Sequence, residues 1–262
     1  MLYKFVGGDD DILLDVFDKA VVQGSVKFGA AWAFNDPFEF KFSAVAPPSR
    51  ESFEEWHLTY APDKTEDQRE NAWDAFSGAG VDWNTVMSPR ITMLGSLYVL
   101  CLARRWASHL MWGHYARSHH GFVVCYKPAV LDAFQDLPGH LGQGNVDYRA
   151  DVPELRWFTG DPTGAMAPLI ASKSPEWAYE EEFRVVLAGP PVQDALFHTI
   201  APELIAGVIL GARAPERLIR RALDLRQRHP DFTVEQVSSK EGQYDLVAHR
   251  MDDHSRTIGD FL

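Results

Sequence analysis

The densest run of chemistry-bearing residues lies at 173–187, Lys173-Ser174-Pro175-Glu176-Trp177-Ala178-Tyr179-Glu180-Glu181-Glu182-Phe183-Arg184-Val185-Val186-Leu187. Three consecutive carboxylates and an arginine lead into an apolar strand. Residues two apart on a strand share a face. The spacing therefore puts Glu180, Glu182 and Arg184 together, with Phe183, Val185 and Leu187 turned the other way into a core. Two acids and a cation on one face make either a solvated edge, with Glu182 and Arg184 as an ordinary ion pair, or the wall of a polar site. Trp177 and Tyr179 make the neighbourhood more aromatic than a plain solvated edge.

A second group is His114, His119 and His120. The five-residue step from His114 to His119 does not match the i, i+4 geometry of a helical zinc pair, so no metal is expected. His114, beside Tyr115 and close to Trp112, has the type and setting of a general acid or base near neutral pH. The bland alternative is a histidine hydrogen-bonded within the core. The third group is Phe34-Asn35-Asp36-Pro37-Phe38-Glu39. An Asx-stabilised turn with Phe34 and Phe38 anchored in the core explains it. The functional version has Asn35 or Asp36 touching a substrate from a loop over the site.

Other chemistries find little footing. Cys101 and Cys125 lie in apolar runs whose burial raises a thiol pKa, and they read as free thiols in a reducing compartment. There is no Gly-x-Ser-x-Gly elbow, P-loop or dinucleotide fingerprint. With 25 Lys and Arg against 37 Asp and Glu, the formal charge of -12 gives no broad surface for a phosphate backbone. The arginines between 213 and 228 recur at helical spacing beside Glu216 and Asp224, as on a solvated helix face. The opening residues resemble no signal or transit peptide, and no apolar run reaches the ~20 residues of a bilayer span. No membrane partner and a cytoplasmic location are the expectation.

The elements that must position these groups are short. Strands are expected at 2–6, 97–103, 121–126, 204–210, 232–237 and 244–248, and helices near 12–20, 108–118, 128–135 and 215–229, while 25–34 is an apolar and aromatic stretch. Between 47 and 88 charged and aromatic residues at helical spacing suggest two helices inserted as a cap. The stretch 137–164, rich in Gly, Pro and Asp, reads as the loosest part, with a strand at 145–149. Short strands with irregularly placed helices point to one α+β domain spanning 1–262 rather than a doubly wound sheet.

Several of these motifs together resemble a bacterial family of unknown function, domain family 2971. They are Leu-Tyr-Lys-Phe at the N-terminus, Phe-Asn-Asp-Pro-Phe-Glu at 34–39, and Leu-Met-Trp-Gly-His-Tyr-Ala with His119 and Gly121-Phe122 after it. Lys173, Trp-Ala-Tyr-Glu-Glu-Glu-Phe-Arg at 177–184 and Ile-Leu-Gly at 209–211 complete the set. A looser resemblance is to ADP-ribosyltransferase-like domains, which open on a strand with a polar or cationic residue and close their site with a Glu-x-Glu or a single Glu at the start of a strand. This chain has Lys4 on its first strand, where those enzymes usually carry His or Arg.

That resemblance implies a central, mostly antiparallel sheet, whole or split, flanked by helices. It also implies NAD as a substrate cleaved at the nicotinamide–ribose bond, in an enzyme of toxin or defence-effector type. Glu182 would stabilise the oxocarbenium-like centre and Glu180 would orient an acceptor, which the sequence does not name. Lys4, Lys173 or Arg184 would meet the pyrophosphate, and Tyr3, Trp112, Tyr115 or Tyr179 would stack on nicotinamide. Two alternatives stay open: a non-catalytic sensor of a nucleotide or other small ligand, and a metal-independent hydrolase using His114 with a glutamate.

Overall fold

The computed structural model describes residues 1–45, 49–77, 94–156, 162–191 and 193–251. The chain begins with β1 (Leu2–Val6), α1 (Leu13–Phe17) running on into a wider helical turn at Asp18–Val22, and β2 (Ser25–Ala30). After β3 (Ser43–Ala44) come α2 (Arg50–Tyr60) and α3 (Glu66–Ser77), which pack together through Phe53 and Trp73. They are the two helices expected of the insertion; its residues 47–48 and 78–88 lie outside the described residues. Ser49 caps α2 by accepting a hydrogen bond from the Ser52 N–H.

The middle of the chain supplies β4 (Leu97–Ala103), α4 (His109–Tyr115), β5 (Phe122–Tyr126), α5 (Val130–Gln135), β6 (His140–Asn145), β7 (Asp147–Tyr148) and β8 (Glu154–Leu155). Then follow α6 (Pro162–Ala171), β9 (Ser172–Lys173), a 3-10 helix at Pro175–Glu180 and β10 (Glu182–Ala188). The chain closes with β11 (Ala195–Thr199), β12 (Ile205–Leu210), α7 (Glu216–Arg228), β13 (Thr233–Ser239) and β14 (Leu246–Arg250).

The fold is α+β, with a mostly antiparallel central sheet flanked by helices. Ten of the strands form that sheet, in the order β11-β2-β4-β1-β5-β12-β13-β14, with β10 and β6 branching from β4. Within it, among the described residues, β12 and β13 form the parallel pair. The main core lies where α1 and α7 cover one face, through Leu13, Phe17, Leu218, Ala222 and Leu225 against Phe122, Val208 and Leu210. Apolar residues on one stripe of α7 meet alternate residues of the strands, so helical and strand periods agree on a common interior.

Two expectations need correction. The stretch from 137 to 164 is not a loose connection: β6 pairs along β10, from Phe183↔Asn145 to Leu187↔His140. Its Gly142 and Gly144 lower strand propensity, but pairing with a buried neighbour overrides local preference. The strand expected at 145–149 is interrupted at Val146, which splits it into the end of β6 and β7. Residues 157–161 lie outside the described residues. Neither α6 nor β11 was expected from the sequence.

Candidate active site

β4 is the strand around which the site forms. One edge pairs with β10 along its whole length. The other edge divides, with Val99 opposite Gly29 of β2 and Ala103 opposite Tyr3 of β1. Cys101 falls between the two pairings, and its carbonyl accepts a hydrogen bond from Lys4 Nζ at 3.0 Å. The Lys4 ammonium thus replaces a ladder donor at the point where the sheet splits. A cleft of about 430 Å³ opens there. Tyr3 and Lys4 of β1, Lys27 and Gly29 of β2 and Cys101 of β4 line it. Asn35, Tyr115, Lys173, Glu180 and Glu182 line it too, beside apolar residues such as Phe34, Val99 and Met111.

The acidic part is a closed ionic lattice. Lys173 Nζ lies 2.6 Å from Glu180 Oε2, 3.0 Å from Glu39 Oε1 and 3.2 Å from Glu182 Oε2. An ammonium has three N–H donors, and each finds a different carboxylate. Arg184 grips Glu182 side-on, through Nε to Oε1 at 2.8 Å and Nη2 to Oε2 at 3.1 Å. It also reaches Glu39 Oε2 at 2.9 Å and the Ile170 carbonyl at 2.6 Å. The Tyr115 hydroxyl donates to Glu180 Oε1 at 2.6 Å. The side chains of Arg184, Glu39 and Glu182 are 2–4% exposed, so water does not stand in for a missing partner.

Short elements bring these groups together. β7 and β9 pair in parallel, placing Tyr148 opposite Lys173, and the Tyr148 hydroxyl accepts the Glu182 N–H at 2.8 Å. Glu180 ends the 3-10 helix rather than lying on the strand. Glu181 then takes a left-handed conformation, φ 43°, which returns the chain to the sheet at Glu182. Period-two spacing from 180 to 184 therefore does not hold as expected. Glu180 and Glu182 still converge, because both bond Lys173.

Burial and charge pull the two glutamates in opposite directions. Burial raises the Glu180 pKa, and the bonds from Lys173 and Tyr115 only partly oppose it. Burial would raise Glu182 too, but the Arg184 and Lys173 charges outweigh it and hold the carboxyl at about 2. Lys173 and Arg184 are raised despite burial by the carboxylates around them. Burial and the bonded Glu180 raise Tyr115; burial pushes Tyr148 up to about 12. Burial likewise raises both thiols, Cys125 to about 12.

The other residues singled out from the sequence are placed as follows. Arg184 stands behind Glu182 rather than on the cleft wall. Trp112 is fully buried, donates to the Trp106 carbonyl at 2.9 Å and stacks on His119. Burial lowers the His119 pKa, and neither residue lines the cleft. His114 is exposed, its ring stacked on Tyr179 outside the cleft. Asp36 makes the expected Asx turn, its Oδ1 accepting the Phe38 N–H at 2.8 Å, while Asn35 reaches the cleft. Phe38, expected in the core, is 66% exposed; Phe40 is buried instead and packs on Phe34. The turn puts Phe38 outside and aims Glu39 inward.

Glu39, Tyr148, Lys27 and Cys101 were not anticipated as site residues. A faint signal existed for Glu39, an acid flanked by Phe38 and Phe40. Among the described residues, no group of His, Cys, Asp and Glu is arranged to hold a metal ion, and no helix is long and apolar enough to cross a membrane. Comparison with family models, curated proteins and solved structures finds no match for this chain.

Proposed function

We propose that the chain is an ADP-ribosyltransferase-like enzyme that takes NAD as substrate in this cleft and cleaves the nicotinamide–ribose bond. The observation that supports it most is the meeting of the first strand, through Tyr3 and Lys4, with Glu180 and Glu182 at one cavity. A volume of about 430 Å³ falls within the range of small-molecule sites. Three carboxylates (Glu39, Glu180, Glu182) against two cations (Lys173, Arg184) leave the lattice one negative charge in excess when all are ionised. That excess suits a cationic, oxocarbenium-like centre.

The two glutamates then divide the work. Glu182 takes three N–H bonds and has the Cys101 thiol beside it, so it supplies fixed negative charge rather than a free acceptor. Glu180 receives one donor on each oxygen and keeps lone pairs for a substrate hydroxyl or an acceptor. Tyr3 and Tyr115 are the rings at hand for nicotinamide.

Nicotinamide release from NAD tests the reading. Losing a preorganised charge costs roughly 100- to 1,000-fold in rate, so Glu182→Gln should fall that far. Glu180→Gln should lose an acidic limb of the pH profile set above the ordinary carboxylate range. Calorimetry showing no NAD binding to the wild type would end it. The saturation of Glu182 favours a second reading, a non-catalytic nucleotide sensor. That reading expects NAD binding with no nicotinamide formed on long incubation.

A further inference from the structure

Formal charge on this chain is -12, and its buried cations Lys173 and Arg184 are matched by carboxylates. Lys4 and Lys27 stand apart. Among the described residues neither ammonium has an ion-pair partner, and both line the cleft. Lys4 is half-buried at the sheet split, with the Cys101 carbonyl as its bonded neighbour. That bond uses one of its three donors. Lys27 is exposed, two residues before Gly29 on β2 and therefore on the same face, which also borders the cleft. A cation held half out of water beside low-dielectric walls attracts anions far more than one in bulk solvent.

We infer that Lys4 and Lys27 form an anion subsite for a phosphate-type dianion, on the cleft wall where β1 and β2 part along β4. Two compact ammonium groups with rotating donors match the tetrahedral oxygens of a phosphoryl group. Among the described residues no arginine lines the cleft, so an anion there meets the lysines as compact point charges. Glu180 and Glu182 line the same cleft and repel a second anion, so the ligand turns its phosphate toward Lys4 and Lys27 and a hydroxyl-bearing part toward Glu180. This inference does not depend on NAD or on any turnover. It requires that an inorganic anion bind alone.

Calorimetry with inorganic pyrophosphate on the full chain provides the test, with succinate as the planar-carboxylate comparison. Saturable pyrophosphate binding is expected, tighter than succinate, and weakened about tenfold or more in Lys27→Ala, the scale of losing one charge partner. Lys27 is exposed, so this variant should keep the wild-type Tm. Lys4→Met should weaken binding as well, and Lys240→Ala, at an exposed lysine elsewhere, should not. No saturable pyrophosphate binding, equal binding by Lys27→Ala and wild type, or tighter succinate would overturn the proposal. So would an equal loss in Lys240→Ala, which would mark nonspecific attraction.

Discussion

The two faces of β10 are both buried, by opposite means. Phe183, Val185 and Leu187 enter the main apolar core, whereas Glu182 and Arg184 are buried to a similar degree among ions. Apolar burial is non-directional and scales with area, so a side chain of similar volume serves nearly as well. An ionic lattice carries its stability in matched partners, and removing one strands the others in a poor solvent for charge. One strand therefore joins a tolerant face to an intolerant one, and the intolerant face borders the cleft.

Arg184→Met should give the largest effect, because it leaves Glu182 and Glu39 short of their shared cation. Breaking a buried pair in this way costs about 3–5 kcal/mol, to be read from urea unfolding. The comparison fails if Arg184→Met costs no more than Leu187→Met on the apolar face, where a volume-conserving swap costs less than about 1.5 kcal/mol.

Acid should reveal the same lattice, with a smaller effect. Glu182 has a depressed folded-state pKa, so its contribution is complete above its unfolded value, roughly 4.3. It is lost as pH falls through about 2. Glu180, raised in the folded state, works in the opposite sense: its contribution is present at low pH and fades as pH rises through the folded value. Denaturant midpoints measured between these limits should fall less steeply in Glu182→Gln than in the wild type. Equal slopes would mean that Glu182 is not held by Arg184 and Lys173 as described.

Much of the frame was legible in the sequence. The apolar runs at β4, β5 and β12 and the periodic helix α7 lie within a residue or two of where they were expected. Alternation from Glu182 to Leu187 also identified the core side of β10. It failed at Glu180, where a left-handed Glu181 interrupts the period. β6 was hidden because glycines in a sequence signal loops, and only its pairing with β10 makes it a strand.

The hub of the lattice was harder to see. Lys173 was noted as a possible phosphate contact, yet its three N–H groups are spent on Glu39, Glu180 and Glu182. Glu39 arrives from a turn whose direction depends on Phe40, not Phe38, entering the core. Tyr148 and Lys27 reach the site through strand pairings that no local pattern announces. Residue types showed which chemistry was present, and tertiary pairing decided which groups meet.

Gly29 offers the most direct measurement. A Cβ built there meets nothing within 4 Å, and the residue borders the cleft without touching the ionic lattice. Gly29→Phe should fill the cavity and leave the Tm unchanged. Titrated with NAD, the wild type should bind saturably and this variant should not; undiminished binding by a folded Gly29→Phe would contradict the placement of the site at the sheet split.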